Sequence, residues 1–274
     1  MPLLVAVASG AVAQEPVQNV GKPLELDRFE LELVYGDDFS VDGRVDFERN
    51  FIEEGKRIGT PAADADWIAE GQGGAMVCGG KLWVAPVVFT ACGETVGERE
   101  NPSHMVVWNR NRFPSDLLFE FTVNHQGSDD GLTLVFFSAE GLRGETIFDD
   151  ALPPREGVYR NYNRGQLRNY TVSYWSRNKK PGLVKRGEQY TNRMRKNPGM
   201  HKLSNEYSRT DKCSDCDYKV RILKIGGLIA VEINDEVVNQ AVDPDPLGSG
   251  YLGLRNMMGV DRVSYDDFRV WELK

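Results

Sequence analysis

Two arginines and a lysine in the second half of the chain have the types and spacing of an anion-binding site. They lie in the run NRMRKN, which reads as an extended strand. Side chains of a strand alternate between two faces, so one face receives Arg193, Arg195 and Asn197, and the other receives Asn192 and Lys196. Two arginines two residues apart can present their planar groups to one carboxylate or sulfate, a bidentate geometry that lysine cannot copy. A solvated strand edge is the alternative interpretation.

These residues belong to a strongly basic segment of an acidic chain. Residues 155–202 contain thirteen Lys or Arg and two Glu, a charge of +11, although the whole chain carries −8. Aromatic side chains are interleaved with these charges: Tyr159, Tyr162, Tyr170, Tyr174, Trp175 and Tyr190. The segment therefore indicates either a site for an anionic ligand or a solvated basic face. The acidic balance of the rest of the chain argues against a general nucleic-acid-binding protein.

Strand-like alternation dominates the elements that must position this segment. The runs predicted as strands are 29–35, 105–108, 117–123, 132–137, 170–175, 218–225, 228–233, 251–255 and 263–273. Gly226-Gly227 predicts a hairpin turn, whereas residues 64–70 show a weak helical period. Many short strands at even spacing indicate an all-β sandwich or jelly roll. We predict a single domain at residues 27–274, preceded by an N-terminal extension at residues 14–26.

The N-terminus and the cysteines both indicate export. Residues 1–13 (MPLLVAVASGAVA) are apolar and small and end in a small-x-small pattern, which predicts the remnant of a signal peptide. We therefore expect a secreted or periplasmic protein. Of the three connectivities that four cysteines allow, the local pairs Cys78–Cys92 and Cys213–Cys216 are the simplest. No apolar run reaches the roughly 20 residues of a membrane-spanning helix.

Five short motifs resemble one protein family. They are FPSD at 113–116, FFSA at 136–139, GQL at 165–167 with SY at 173–174, RKNPG at 195–199 and GLRNM at 253–257. In this order they resemble the YesU-like domain-of-unknown-function family of the concanavalin A-like lectin and glucanase superfamily, over about residues 27–271. The resemblance implies a two-sheet concanavalin A-like β-sandwich with a concave face, in bacteria that degrade acidic polysaccharides. A fold does not by itself fix a reaction.

With this resemblance, the basic segment indicates a lyase or dehydratase that performs an elimination on a uronic acid. Such a reaction needs a cation on the carboxylate and a base such as Tyr, His or Lys for the proton at C5. We predict that Arg195 holds the carboxylate, that Tyr174 or His125 exchanges the proton, and that Lys196 assists catalysis. The predicted substrate-binding residues are Tyr162, Trp175, Asn192, Arg193, Asn197, His201 and Arg255.

Two other functions remain open. A lectin-like module would bind the same acidic glycans without chemistry, because sugar rings stack on aromatic side chains in either case. A glycoside hydrolase ranks third, since none of the predicted strands contains the paired-carboxylate pattern Glu-x-Asp-x-x-Glu. The pair Glu30 and Glu32 reads as a surface pair, and Asp266-Asp267 reads as a turn or a sheet-end pair.

The expected partner is an acidic oligosaccharide or polysaccharide, with no nucleic acid and no cofactor. Three scattered histidines form no recognisable metal set, and His104, which precedes a strand, has the weakest case for a role. Asp243 and Asp245 would suit a structural calcium ion, although Asp-Pro-Asp-Pro is equally a plain turn. The sequence leaves the oligomeric state open.

Overall fold

The chain folds almost entirely into β-strands. The structure is a computed structural model and describes residues 21–40, 45–46, 52–53, 56–57, 66–71, 73–87, 89–95, 104–126, 133–177, 190–207, 215–256 and 262–274. From the N-terminus its strands are β1 (Leu31–Asp37), β2 (Val45–Asp46), β3 (Ile52–Glu53), β4 (Lys56–Arg57), β5 (Trp67–Gly71), β6 (Gly74–Cys78), β7 (Lys81–Ala85), β8 (Phe89–Ala91), β9 (Glu94–Thr95), β10 (Met105–Phe113), β11 (Leu117–Gln126) and β12 (Thr133–Gly141). They are followed by α1 (Arg160–Asn163), β13 (Leu167–Arg177), β14 (Tyr190–Asn197), β15 (His201–Tyr207), β16 (Asp217–Ile225), β17 (Leu228–Ile233), β18 (Glu236–Val242), β19 (Gly250–Asn256) and β20 (Arg262–Leu273).

Two sheets of eight strands each form a sandwich. The first sheet has the order β18-β17-β16-β11-β20-β7-β6, and β1 also pairs with β20. The second sheet has the order β15-β14-β13-β12-β19-β10-β5-β2. Neighbouring strands in both sheets run antiparallel, apart from the parallel pair β2 and β5. The predicted all-β sandwich is therefore confirmed.

The register of the second sheet separates its core-facing side chains from its outward-facing ones. Val107, Leu254, Val135, Val172 and Met194 lie in one row across five strands, and all are buried in the core between the sheets. The next row faces away from the core and consists of Glu70, Val106, Arg255, Leu134, Ser173, Arg193 and Asn205. We call the surface that carries this row the outer face.

Residues 142–166, here called the covering segment, pack over part of the outer face. Ile147, Leu152 and Tyr162 of this segment form a second hydrophobic cluster with Trp108 and Phe136 of the sheet. Strand β12 is consequently buried along all nine of its residues. Burial on both faces explains why its sequence reads as a continuous apolar run rather than as an alternation.

Two local predictions have different outcomes. The hairpin is confirmed, because β16 and β17 pair up to Ile225 and Leu228 around the turn. Gly226 in that turn has φ +51°, a conformation that glycine adopts without strain. The helical period at 64–70 is wrong, because Trp67–Gly71 forms strand β5 with all five residues buried.

Part of the predicted N-terminal extension is packed against the first sheet. Leu24 and Leu26 contact a small cluster of Leu118, Leu223 and Leu273. The predicted signal remnant at residues 1–13 lies outside the described residues. Within the described ranges, no helix has the length and apolar character needed to span a bilayer.

The predicted disulfide Cys78–Cys92 is confirmed and links the end of β6 to the turn after β8. Cys216 is disulfide-bonded as well. Its predicted partner, Cys213, lies outside the described residues.

Candidate functional site

A buried ion pair fastens the covering segment to the second sheet. Arg155 donates Nε and Nη2 to the two carboxylate oxygens of Glu70 at 3.0 and 2.5 Å, and the two side chains are 3% and 1% exposed. Oε2 of Glu70 also accepts from the Tyr162 hydroxyl at 2.9 Å and from Trp108 Nε1 at 3.0 Å. Burial, then the Glu70 charge, raises the pKa of Tyr162 well above its ordinary value. Tyr162, predicted to bind substrate, is therefore a neutral hydrogen-bond donor to Glu70, and its side chain is fully buried.

Asn197 belongs to an amide network that anchors α1. Its Nδ2 donates to Asn169 Oδ1 at 2.9 Å and to Thr171 Oγ1 at 2.8 Å. Asn169 in turn donates to the backbone carbonyl of Tyr162 at 2.9 Å. Asn197, also predicted to bind substrate, is buried, so its position supports α1 rather than an exposed contact.

Four cationic side chains lie together at the outer face. Arg193 and Arg195 share one face of β14, as the sequence predicts, and the structure turns that face outward. Lys202 of β15 pairs with Arg195. Arg195 donates Nη1 to the backbone carbonyl of Met200 at 3.1 Å, and Arg164 Nη2 lies 4.0 Å from the Met200 sulfur. We call Arg164, Arg193, Arg195 and Lys202 the basic face.

None of these four cations forms an ion pair with a carboxylate of the described residues. Arg193 donates Nε to the amide oxygen of Asn205 at 2.9 Å, and Arg195 donates to backbone. Both arginines are half-buried, whereas Arg164 and Lys202 are exposed. Because an arginine carries five N–H donors, both keep donors for a ligand. Unpaired cations on one surface produce a positive potential that attracts anions.

Three other cations of the basic segment serve structural ion pairs. Arg155 pairs with Glu70, and Arg168 pairs with Glu140 at 2.6 Å. Lys196 lies 3.0 Å from a carboxylate oxygen of Asp243 and 3.2 Å from one of Asp245. Burial acts to lower the pKa of Lys196, but the two carboxylates outweigh it and raise the pKa above its ordinary value. Lys196, predicted to assist catalysis, is thus a protonated partner of two aspartates.

Lys196 occupies the two carboxylates, Asp243 and Asp245, that would suit a structural calcium ion. Asp243 also accepts from the Tyr170 hydroxyl at 2.6 Å and from the backbone N–H of Asp245 at 3.0 Å, so its carboxylate already has three donors. Among the residues that the structure describes, no group of three or more His, Cys, Asp or Glu side chains is arranged to hold a metal ion.

The structure does not bring Tyr174 and His125 together with Arg195. Tyr174 and His125 are each 1% exposed, lie in the space between the sheets and have ring centroids 6.0 Å apart. His125 Nε2 is 2.9 Å from Thr133 Oγ1. Burial raises the pKa of Tyr174, which opposes its ionisation to a base. A carboxylate bound to Arg195 would lie on the other side of the sheet from both side chains.

Arg255 is a second buried arginine, and its surroundings differ from those of Arg155. It donates Nε and Nη2 to the carbonyl of Gly157 at 3.2 and 3.0 Å, and its guanidinium lies 5.2 Å from the Tyr159 ring centroid. Burial lowers the pKa of Arg255 to about 10. His104 lies beside this group, and burial followed by the charge of Arg255 lowers the pKa of His104.

The remaining predicted residues are scattered. Asn192 is fully buried, and His201 is exposed at the start of β15. The side chain of Trp175 lies outside the described part of the structure. Sequence reasoning missed Arg164 and Lys202, for which the charge of the basic segment was the one available signal.

Comparison with known proteins identifies the family. Residues 55–270 match the family described as Domain of unknown function (DUF1961). The chain is 28% identical over 180 residues to the uncharacterized protein YesU of Bacillus subtilis (strain 168), covering 62% of this chain and 78% of YesU. A Bacillus subtilis protein of unknown function with a galectin-like fold superposes with a TM-score of 0.66 at 23% identity, covering 89% of this chain and 98% of that chain. The kappa-carrageenase of Pseudoalteromonas carrageenovora, in complex with an oligotetrasaccharide of kappa-carrageenan, superposes with a TM-score of 0.51 at 11% identity, covering 92% of this chain and 98% of that chain.

The two structural likenesses show the fold. The family match spans most of the chain, including β5 to β19 and the whole basic segment. The chain therefore belongs to the DUF1961 family.

Proposed function

We propose that this protein binds an acidic oligosaccharide or polysaccharide at the outer face of its second sheet, through the basic face. The observation that carries the proposal is the set of four cations without a carboxylate partner among the described residues, in a chain whose net charge is −8. Arg193 and Arg195 are about 7 Å apart along β14, since alternate residues of a strand are separated by that rise. Uronate carboxylates and sulfate esters present the oxygen pairs that guanidinium groups bind best.

A glycan is a better candidate than a small free anion for two reasons. The basic face extends from Arg164, the residue after α1, to β14 and β15, so its cations are spread over more than one element. A sandwich of similar fold, the kappa-carrageenase, holds an oligotetrasaccharide of kappa-carrageenan. Because one fold hosts many functions, this likeness supports the proposal without specifying the glycan.

Elimination on a uronic acid is the second candidate function. Its predicted parts are separated, because Tyr174 and His125 lie between the sheets and Arg195 does not. Tyr159 and His104, which are of the same proton-exchanging types, lie beside Arg255. This juxtaposition supports an elimination centred on Arg255 instead. The C5 proton would pass to the base, the C4–O bond would break, and the departing oxygen would take up a proton.

Calorimetric titration with uronate and sulfated oligosaccharides tests the binding proposal. We expect the wild-type protein to bind acidic oligosaccharides and the double variant Arg193→Gln/Arg195→Gln to lose about 10-fold or more in affinity for each arginine. The matched control is Arg143→Gln/Lys219→Gln, which removes two exposed charges elsewhere. Equal losses in the two double variants would contradict a specific site, and an unsaturated product in the same samples would establish elimination.

We also propose that the protein acts outside the cytosol. Disulfides persist in oxidising compartments, so the Cys78–Cys92 bond fits an extracellular or periplasmic protein. Mass mapping of non-reduced peptides from exported material should find this bond and a mature N-terminus near Gln14. Free thiols in a cytosolic protein would contradict export.

A further inference from the structure

We propose that Arg255, with His104 beside it, is a binding site for one oxyanion of the ligand, a carboxylate or a sulfate group, beneath the ring of Tyr159. This inference rests on the proposed function, because it assigns a second charged group of the same acidic glycan to a position on the outer face. It concerns residues outside the basic face.

The first observation is the missing counter-charge. Arg155 meets both oxygens of Glu70, whereas Arg255, which is 0% exposed, donates only to the carbonyl of Gly157 among the described residues. Burying a charge without an opposite charge is costly, so such a group is uncommon unless something binds it. With a pKa of about 10, Arg255 still carries its charge at neutral pH.

The second observation is a pair of buried nitrogen atoms that have no hydrogen-bond partner among the described residues. They are Arg255 Nη1 and His104 Nδ1. Gly157 adjoins both residues: its carbonyl accepts from Arg255, and a Cβ at this position would lie 2.1 Å from the carbonyl oxygen of His104 and 3.3 Å from the Cβ of His104. Buried polar atoms are nearly always paired. An oxyanion at this place would accept from Arg255 Nη1 and from His104 in the tautomer protonated at Nδ1.

The third observation concerns access. The half-buried Tyr159 ring stacks on the Arg255 guanidinium, and the preceding residue, Val158, is 43% exposed. Since Arg255 has no exposed surface, the oxyanion reaches it when the Tyr159 side chain rotates away. The displaced ring is then free to stack on the sugar that carries the anion.

The register places this subsite within reach of the basic face. Arg255 and Arg193 lie in the same row across the sheet, with Leu134 and Ser173 between them. Three strand spacings separate the two arginines by about 14 Å. One oligosaccharide with two or more charged groups can therefore contact both.

Thermal unfolding of the full chain in sodium chloride, sodium sulfate and sodium glucuronate, at equal ionic strength and with glucose as the neutral control, tests the subsite. A ligand that binds only the folded state raises Tm. We expect sulfate or glucuronate to raise the wild-type Tm by about 2–4 °C more than that of Arg255→Met. A gain with glucuronate alone would indicate a uronate carboxylate, and a gain with sulfate alone would indicate a sulfate ester. Equal gains in the wild type and in Arg255→Met would overturn the inference.

Two further measurements make the result independent of folding and of the basic face. If Arg255→Met does not fold, glucuronate or sulfate should still shift the His104 ring signals in the NMR spectrum of the wild type, and unchanged signals would overturn the inference. Arg193→Gln/Arg195→Gln should keep the anion-dependent gain in Tm while losing oligosaccharide affinity. Loss of that affinity in Arg193→Gln/Arg195→Gln, without any anion effect at Arg255, would reject this inference and leave the proposed function standing.

Discussion

At the scale of single residues, two buried arginines show how stability and binding use the same residue type differently. Arg155 is neutralised by Glu70 and holds the covering segment on the sheet. Among the described residues, Arg255 donates to a backbone carbonyl, and its buried Nη1 has no hydrogen-bond acceptor. Removing Arg155 would therefore leave the buried carboxylate of Glu70 without its cation. Removing Arg255 would take away a buried cation that has no carboxylate partner among the described residues.

Substitution of the two arginines by methionine should separate these roles. Arg155→Met should lower the free energy of unfolding by about 3–5 kcal/mol, because Glu70 would stay buried without its partner. Arg255→Met, of similar shape, should cost far less or stabilise the ligand-free protein. Urea denaturation of both variants measures the difference. Equal losses would show that Arg255 is as structural as Arg155.

The titration of His104 should report the charge of Arg255. Burial, and then Arg255, holds the pKa of His104 below its ordinary value of 6.5, so Arg255→Met should raise that pKa without fully restoring it. The unfolded chain takes up the His104 proton more readily than the folded one, so this group makes stability fall as the pH drops below about 6.5. NMR titration of the three histidines measures it. An unchanged pKa of His104 in the variant would place Arg255 away from it.

At the scale of elements, the alternation of β14 was predictable and the partners of its residues were not. The period of a strand places Arg193 and Arg195 on one face and Lys196 on the other, as found. No local pattern could reveal that Lys196 meets Asp243, or that β13 turns Tyr174 into the core. These contacts depend on how two sheets stack, which the sequence of one strand does not contain.

The sequence likewise did not predict strand β5 or the contacts of the covering segment. The helical period at 64–70 failed because β5 is buried on both faces, which removes the alternation that marks a half-exposed strand. The Glu70–Arg155 pair joins residues 85 positions apart, so the sequence around either residue does not indicate its partner. Sequence alone therefore predicted the sandwich, most strands and one disulfide, but not the charge pairing that leaves four cations on the basic face.

Neighbouring residues of β14 should respond differently to loss of charge. Arg195→Gln should weaken binding to acidic oligosaccharides about 10-fold or more and leave stability unchanged, because Arg195 has no carboxylate partner in the described structure. Lys196→Gln should keep the affinity but lower the free energy of unfolding by about 1–3 kcal/mol, because Asp243 loses its cation. Calorimetry and urea denaturation on both variants decide this. Loss of affinity in Lys196→Gln and unchanged affinity in Arg195→Gln would place the ligand on the Lys196 side of β14 and contradict the proposed site.

The Cys78–Cys92 bond should stabilise the first sheet without affecting ligand binding. It spans a sequence separation of 14 next to β6 and β7. A closed loop of this length stabilises by about 3 kcal/mol in the chain-entropy model, so Cys78→Ser/Cys92→Ser should lose about that much. Urea denaturation measures the loss, and titration should show unchanged glycan affinity. A large loss of affinity in a folded variant would connect this hairpin to the binding site.

At the scale of the whole molecule, the two sheets carry their charges differently. On the first sheet, Glu120 lies within ion-pair distance of Lys219, Arg221 and Arg269, so cations and anions alternate across strands. On the outer face of the second sheet, the basic face has no such carboxylates among the described residues. In the described part of this acidic protein, the basic face is thus a positive surface, which favours an acidic ligand at that surface.

The most direct test of this account is the salt dependence of glycan affinity. Titration of the wild-type protein with one uronate oligosaccharide and with a neutral glucan of the same length should be done at low and at physiological ionic strength. The account predicts binding to the uronate oligosaccharide that weakens as salt shortens the Debye length to about 8 Å, and negligible binding to the glucan. Equal affinity for both glycans, independent of salt, would contradict it.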